Sequence, residues 1–233
     1  MKTTRALTRL LLGGVVVVAA LAGCHHPDES YYPLRPGARS IYRLWGKSKD
    51  AHAPEVSLDG FTFTTTVLPP RDLDGRQVVP EMVDVNGHLA YSYLARRAGG
   101  VYQVARQELD EKRIRSFTEP SCVLPLPLIK GRSCEATTFE TAAGVEFEIS
   151  GTSKIEALDE VVTVPAGTYR HCVKTTSVMS GEATVEGVRA TLDVNSIEWF
   201  APDVGLIKSI HWLVATPGWV AWASRTAELT AFK

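Results

Sequence analysis

Beyond residue 24 the sequence has no long segment with a convincing helical stripe, 103–117 alone being ambiguous, so little in it points to an α-helical or α/β domain. It has little excess charge of either sign, with 25 Lys and Arg against 26 Asp and Glu. That balance excludes the basic footprint of a nucleic-acid-binding surface. Cysteine is scarce, four in all, and Cys122, Cys134 and Cys172 lack the paired spacing of a zinc site. Six histidines are present: His25, His26, His52, His88, His171 and His211. None stands in an H-E-x-x-H string, and G-x-S-x-G elbows and P-loops are missing. No catalytic residue, metal site or cofactor is therefore predicted.

What is present begins with a secretory signal. Lys2, Arg5 and Arg9 precede an almost wholly apolar run from Leu10 to Leu21, the layout of a charged n-region and an h-region. The run is shorter than the roughly 20 residues a membrane-spanning helix needs. It ends in Leu21-Ala22-Gly23-Cys24, which resembles the lipobox of bacterial lipoproteins. The resemblance implies cleavage before Cys24, thioether lipidation of Cys24 and acylation of the new amino terminus. Two or more acyl chains anchor stably where one binds only marginally. Residue 25 is His rather than Asp, which implies the outer membrane, facing the periplasm. The predicted divisions are a signal peptide at 1–23, a lipidated polar tether at 24–30 and one β domain at 31–233. Without Lys2, Arg5 and Arg9 the chain keeps 22 basic against 26 acidic residues.

Export places Cys122, Cys134 and Cys172 in an oxidising compartment. Cys122 and Cys134 flank a Pro-rich loop and are the predicted disulfide, with Cys134–Cys172 as the other pairing. Closing that loop stabilises by roughly 3 kcal/mol on the chain-entropy estimate. Cys172 sits in a strand pattern and reads as a buried, structural thiol.

The domain reads as mainly β, with antiparallel curved sheets in a half-barrel or sandwich. Val145, Phe147 and Ile149 alternate with polar neighbours, and Phe61, Phe63, Thr65 and Val67 share one face. Asp74-Gly75, Asn86-Gly87, Gly99-Gly100, Pro165-Ala166-Gly167 and Ala201-Pro202-Asp203 punctuate the strands as turns. The segment 103–117 is read as a hairpin turning near Asp110-Glu111. The bases Arg96, Arg97, Arg106, Lys112, Arg113 and Arg115 are read as its solvated face. His171 and His211 both fall in strands and could meet across a sheet.

An internal repeat is visible. Pro33-Leu34-Arg35-Pro36-Gly37 matches Pro127-Leu128-Ile129-Lys130-Gly131, and Tyr93-Leu94-Ala95 with Gly99 matches Trp199-Phe200-Ala201 with Gly205. The expectation is a duplication of two similar β units, 31–126 and 127–233.

Three separated strings carry a family resemblance. They are Tyr32-Pro33-Leu34 with Gly37 and Tyr42, Val164-Pro165-Ala166-Gly167-Thr168-Tyr169 with Cys172, and Trp199-Phe200-Ala201-Pro202-Asp203-Val204-Gly205-Leu206. Together they resemble a family of uncharacterised bacterial envelope lipoproteins. The sequence departs from that pattern at Ser40 and Cys134, where such proteins often carry Trp. The resemblance implies a β-rich envelope domain and no established chemistry. A more distant likeness, at fold level alone, is to the curved-sheet carriers that ferry lipoproteins across the periplasm.

The functional reading is a membrane-anchored, non-catalytic binding or assembly lipoprotein of the cell envelope. Its partners would be the membrane, through the lipid, and an envelope protein or lipid. The alternatives are a lipid or lipoprotein carrier with an apolar groove and, behind it, an unrecognised hydrolase. Trp199, Trp212, Trp219 and Trp222 cluster near the C-terminus and are expected mostly in the core of the second half. Tyr93, Trp199, Phe200 and Trp212 are the candidates to line an apolar groove between the halves.

Overall fold

The computed structural model describes residues 28–50, 54–108, 111–217 and 221–233. The proposed signal peptide, Cys24, the tip of the 103–117 hairpin and Trp219 lie outside the described residues. In chain order the strands are β1 (Arg39–Asp50), β2 (Val56–Ser57), β3 (Phe61–Val67), β4 (Arg71–Leu73) and β5 (Arg76–Val85). They continue as β6 (His88–Arg97), β7 (Gly100–Gln107), β8 (Arg115–Pro125), β9 (Ser133–Ala142) and β10 (Val145–Val164). Last come β11 (Gly167–Val185), β12 (Val188–Ala201), β13 (Gly205–Thr216) and β14 (Ala221–Phe232).

The strands form one antiparallel sheet in the order β8-β7-β6-β5-β3-β1-β14-β13-β12-β11-β10-β9, with β2 and β4 on its flanks. The sheet curls into a nearly closed barrel. Turn chemistry fixes the hairpins: Asp74-Gly75 and Asn86-Gly87 both take positive φ, as two-residue hairpin turns require. β7 and β8 form the expected hairpin.

The barrel closes in two different ways. The first and last long strands, β1 and β14, are hydrogen-bonded along their length from Ser40↔Phe232 to Asp50↔Ala221. At the opposite side β8 and β9, neighbours in sequence, share no ladder. That seam is held by side chains. Cys122 and Cys134 are disulfide-bonded with their Cα atoms 6.0 Å apart. Thr137 N donates to Ser121 Oγ at 3.2 Å. Arg106 donates to the Phe139 carbonyl and, with Arg115, lies against the Phe139 ring. Arg115 also pairs with Glu146. These two arginines were expected on a solvated face, and the structure corrects that. They are only 16% and 28% exposed because the seam lacks a backbone ladder and recruits them.

The seam falls between Pro125 and Ser133, where the sequence repeat divides. The two aligned turns make the same backbone bonds. Gly37 N donates to Val67 O and Gly131 N to Ile155 O, both at 2.8 Å. Ala38 N reaches Arg35 O and Arg132 N reaches Ile129 O, both at 3.0 Å. Gly37 and Gly131 have φ of 89° and 86°, conformations that favour glycine.

Inside the barrel two apolar clusters sit at opposite ends. Phe147, Ile149, Val185, Leu192 and Ala215 fill one end. Tyr31, Val101, Leu124, Ile155, Val173 and Phe200 fill the other. Full burial of each large side chain contributes about 1.5–3 kcal/mol. The N-terminal segment closes this second end, here called the base. Asp28 accepts a bond from Leu128 N, Ser30 O accepts one from Asp203 N, and Tyr31 Oη donates to His171 O. Arg96 donates to the carbonyls of Glu29 and Tyr32.

Outside the barrel each half folds a hairpin over its own wall. The β4–β5 hairpin covers Tyr93, Val104 and Ala105 with Leu73 and Val78. The end of the β10–β11 hairpin packs Val162, Val164 and Tyr169 in one cluster with Trp199 and Ile207, and Ala166 N at its tip donates to Leu229 O. Cys172 is fully buried there as a free thiol, as expected, and burial pushes it up to about 11.

Candidate functional site: a polar barrel lumen

Between the two apolar ends the interior is not filled. A cavity of about 260 Å³ opens there, lined by residues from all around the wall. Strand register explains which residues reach it. Ser153, Ser177, Ser196, His211, Arg225 and Gly46 lie directly opposite one another across β10, β11, β12, β13, β14 and β1. On the other half Glu81 faces Ser92, and Gln103 faces Ser121. Alternate residues of a strand share one face, so these positions form one inward belt. Every member except Gly46 carries a polar side chain.

Glu198, two residues along β12 from Ser196, and Glu140 of β9 also face the cavity. Tyr32 enters from the base, and its hydroxyl donates to Glu81 Oε2 at 3.3 Å. Glu81 and Glu198 both lie close enough to raise the Tyr32 hydroxyl, although burial is the larger cause. Burial pushes each of these two carboxyls up to about 7. His211 is pushed down to about 4, by burial and then by the charge of Arg225. Its Nε2 is 3.8 Å from Glu198 Oε1, too far for a hydrogen bond. The Glu198 side chain is still 20% exposed. It borders a cavity that is partly open to solvent, so it keeps some exposure while the surrounding protein limits its solvation.

The four groove candidates are not brought together. Tyr93 and Trp199 point outward, one residue out of phase with the lumen-facing Ser92, Leu94 and Glu198. Each lies under its own half's hairpin. Tyr93 Oη accepts from Arg71 at 2.6 Å and donates to Gln107 at 3.0 Å. Trp199 Nε1 donates to Glu160 at 2.7 Å, with the Lys174 and Lys208 ammonium groups over the ring. Phe200 points inward but is consumed in the apolar base. Trp212 lies on the outer wall and is 38% exposed. The expectation that the tryptophans mostly fill the core also fails. Trp199, Trp212 and Trp222 all occupy outward positions of their strands. His171 and His211 do not meet either, since His171 is exposed and pairs with Asp159 while His211 faces the lumen.

Sequence reasoning missed Glu81, Glu198, His211 and Arg225 as a group. The available signal was a phase: in Ser196-Ile197-Glu198-Trp199 polar and apolar residues alternate, so the polar pair shares one face and the apolar pair the other. Assigning the apolar face to the interior inverts the strand, because the outer face is itself covered by a hairpin. Among the described residues no group of three or more His, Cys, Asp or Glu is placed to hold a metal ion. No helix of the described residues is long and apolar enough to cross a membrane.

No curated protein matches the chain. A crystal structure of a candidate lipoprotein from Parabacteroides distasonis is 15% identical, covers 87% of this chain and 98% of its own, and has a TM-score of 0.44. A candidate exported protein with YmcC-like fold from Bacteroides fragilis is 14% identical over the same shares, with a TM-score of 0.41. The family described as DUF3108-like matches residues 141–212, from the end of β9 into β13.

Proposed function

We propose that the protein is an exported, non-catalytic binding lipoprotein of the bacterial cell envelope, and that its binding compartment is the barrel lumen. One observation carries this: an inward belt of polar side chains lines an unfilled cavity, where a barrel that served only as a scaffold would pack apolar side chains. The anchor would be the lipid on Cys24, holding the protein at the outer membrane with the domain in the periplasm. The lumen's polar lining disfavours acyl chains, which would strand Glu81, Glu198 and Arg225 against hydrocarbon. Binding rather than catalysis fits a sequence without a nucleophile–base string. The matched turns of the two halves support an origin by duplication.

Native mass spectrometry of the protein released gently from cell envelopes tests the compartment. A retained small polar molecule, lost when Ser177 and Ser196 are both replaced by Leu, is the expected result. Retained acyl lipid that survives those replacements refutes it. The anchor is tested separately by fractionating cells that carry Cys24→Ala. The variant should leave the membrane fraction, and unchanged partition would remove the lipid from the proposal.

A further inference from the structure

We infer that the lumen takes a small organic cation, a ligand bearing an ammonium or guanidinium group, with Glu81 and Glu198 as its counter-charges. The inference rests on the lumen being the binding compartment and adds the chemical class of the ligand.

The charges facing the cavity come from five strands. Glu81 stands on β5, Glu140 on β9, Glu198 on β12, His211 on β13 and Arg225 on β14. Three carboxyl groups thus face one guanidinium and one imidazole that stays neutral at physiological pH. Arg106 reaches the rim through Thr138, but its charge is taken by Glu108. Among the described residues no ion pair joins Glu81 or Glu140 to a cationic side chain, and Glu198 has only the distant His211. Buried carboxylates without a cation are unfavourable; protonation relieves this below about pH 7, and an opposite charge placed between them relieves it above. Both Glu81 and Glu198 act on Tyr32, so they flank one region of the cavity from opposite halves of the chain.

The surroundings select an organic cation over a metal ion. A hard divalent ion needs six or more oxygen ligands converging at close range, and no such cluster is formed among the described residues. The hydroxyls of Ser92, Ser177 and Ser196 and the Gln103 amide are instead spread around the belt. They suit the several N–H donors of an ammonium or guanidinium and the polar groups of its carrier. The volume, about 260 Å³, lies just below the ~300–1,000 Å³ of drug-sized sites. It suits a metabolite of amino-acid or diamine size.

The test uses the purified full chain with four probes: putrescine, butanediol, succinate and calcium chloride. Isothermal titration calorimetry and thermal melts are read at about pH 6 and about pH 8. Putrescine should bind, more tightly at the higher pH as Glu81 and Glu198 ionise, and butanediol, succinate and calcium should not. The double variant Glu81→Gln with Glu198→Gln should weaken putrescine about tenfold or more. Its own melting temperature at about pH 8, equal to or above that of the parent, shows that the variant is folded. Binding of putrescine that is indifferent to the double variant overturns the assignment of the counter-charges. Binding of butanediol or succinate in its place overturns the cationic class while leaving the lumen a site. If no probe binds and a wider panel of neutral polar metabolites also fails, the lumen reading itself falls.

Discussion

Reducing the Cys122–Cys134 disulfide should loosen the barrel at one line. The bond closes a loop between residues 12 apart in sequence. Chain entropy alone assigns such a cross-link about 3 kcal/mol of stability at 25 °C. For a domain of this size, 1 kcal/mol shifts the melting temperature by about 2–4 °C, so the whole effect is about 6–12 °C. The location adds a prediction about where the loss is felt. Every other junction in the curled sheet is a backbone ladder, whereas β8 and β9 are joined by side chains. Hydrogen exchange in Cys122→Ser with Cys134→Ser should therefore accelerate first in β8 and β9. The β1–β14 ladder should keep its protection. Melting of the double variant, with and without dithiothreitol, separates loss of the bond from other effects of reductant. A melting temperature within about 2 °C of the parent would refute the entropic estimate. Uniform acceleration across all strands would refute the seam as a separate weak line.

Other outcomes follow from the same geometry. Glu81 and Glu198 titrate near 7 when folded and near the ordinary 4.5 when unfolded, so the folded state holds extra protons between those values. Their contribution is intact below about pH 4.5 and is lost as pH rises through about 7. Glu81→Gln and Glu198→Gln should each raise stability by about 1–3 kcal/mol at pH 8 and change little at pH 4, measured by urea titration. Gly46→Ala should destabilise by about 2 kcal/mol or more, since its Cβ would lie 2.0 Å from the Ser224 carbonyl oxygen at a φ of 132°; a wild-type melt would contradict the β1–β14 register. Trp199→Ala should cost about 3 kcal/mol as it empties the space beneath the β10–β11 hairpin, while the exposed Trp212→Ala should cost less than about 1 kcal/mol. Equal effects in denaturant titration would mean that the two rings are similarly buried.

Strand content and turns were legible because both are written locally. Val145–Ile149 alternates as it must on a half-buried strand, and Asn86-Gly87 sits where a tight hairpin needs two positive φ angles. The disulfide was legible from separation and compartment. The orientation of several strands was not. Alternation reveals two faces, and only the assembled barrel reveals which one is inside. Ile197 and Trp199 look like core, yet they sit on the outer wall, Trp199 under a hairpin, while Ser196 and Glu198 look solvated and face the lumen. The extent of closure was equally hidden. Pairing β1 with β14 joins residues nearly the whole domain apart, and no local pattern records such a partner.

That same β1–β14 junction sets an order of events for folding. β1 is among the first strands to leave any N-to-C-terminal process, whether synthesis or export, and its final partner is the last to arrive. Until β14 emerges, one edge of β1 has no ladder partner, with Tyr42 and Leu44 beside it. An open edge of that kind invites pairing with other chains. Ser40 must wait for Phe232, so closure belongs to the slow, non-local class of folding steps. A chain cut short before β14 would keep that edge permanently open. Loss of β14, Ala221–Phe232, together with the final Lys233 should thus produce aggregation rather than a smaller soluble barrel.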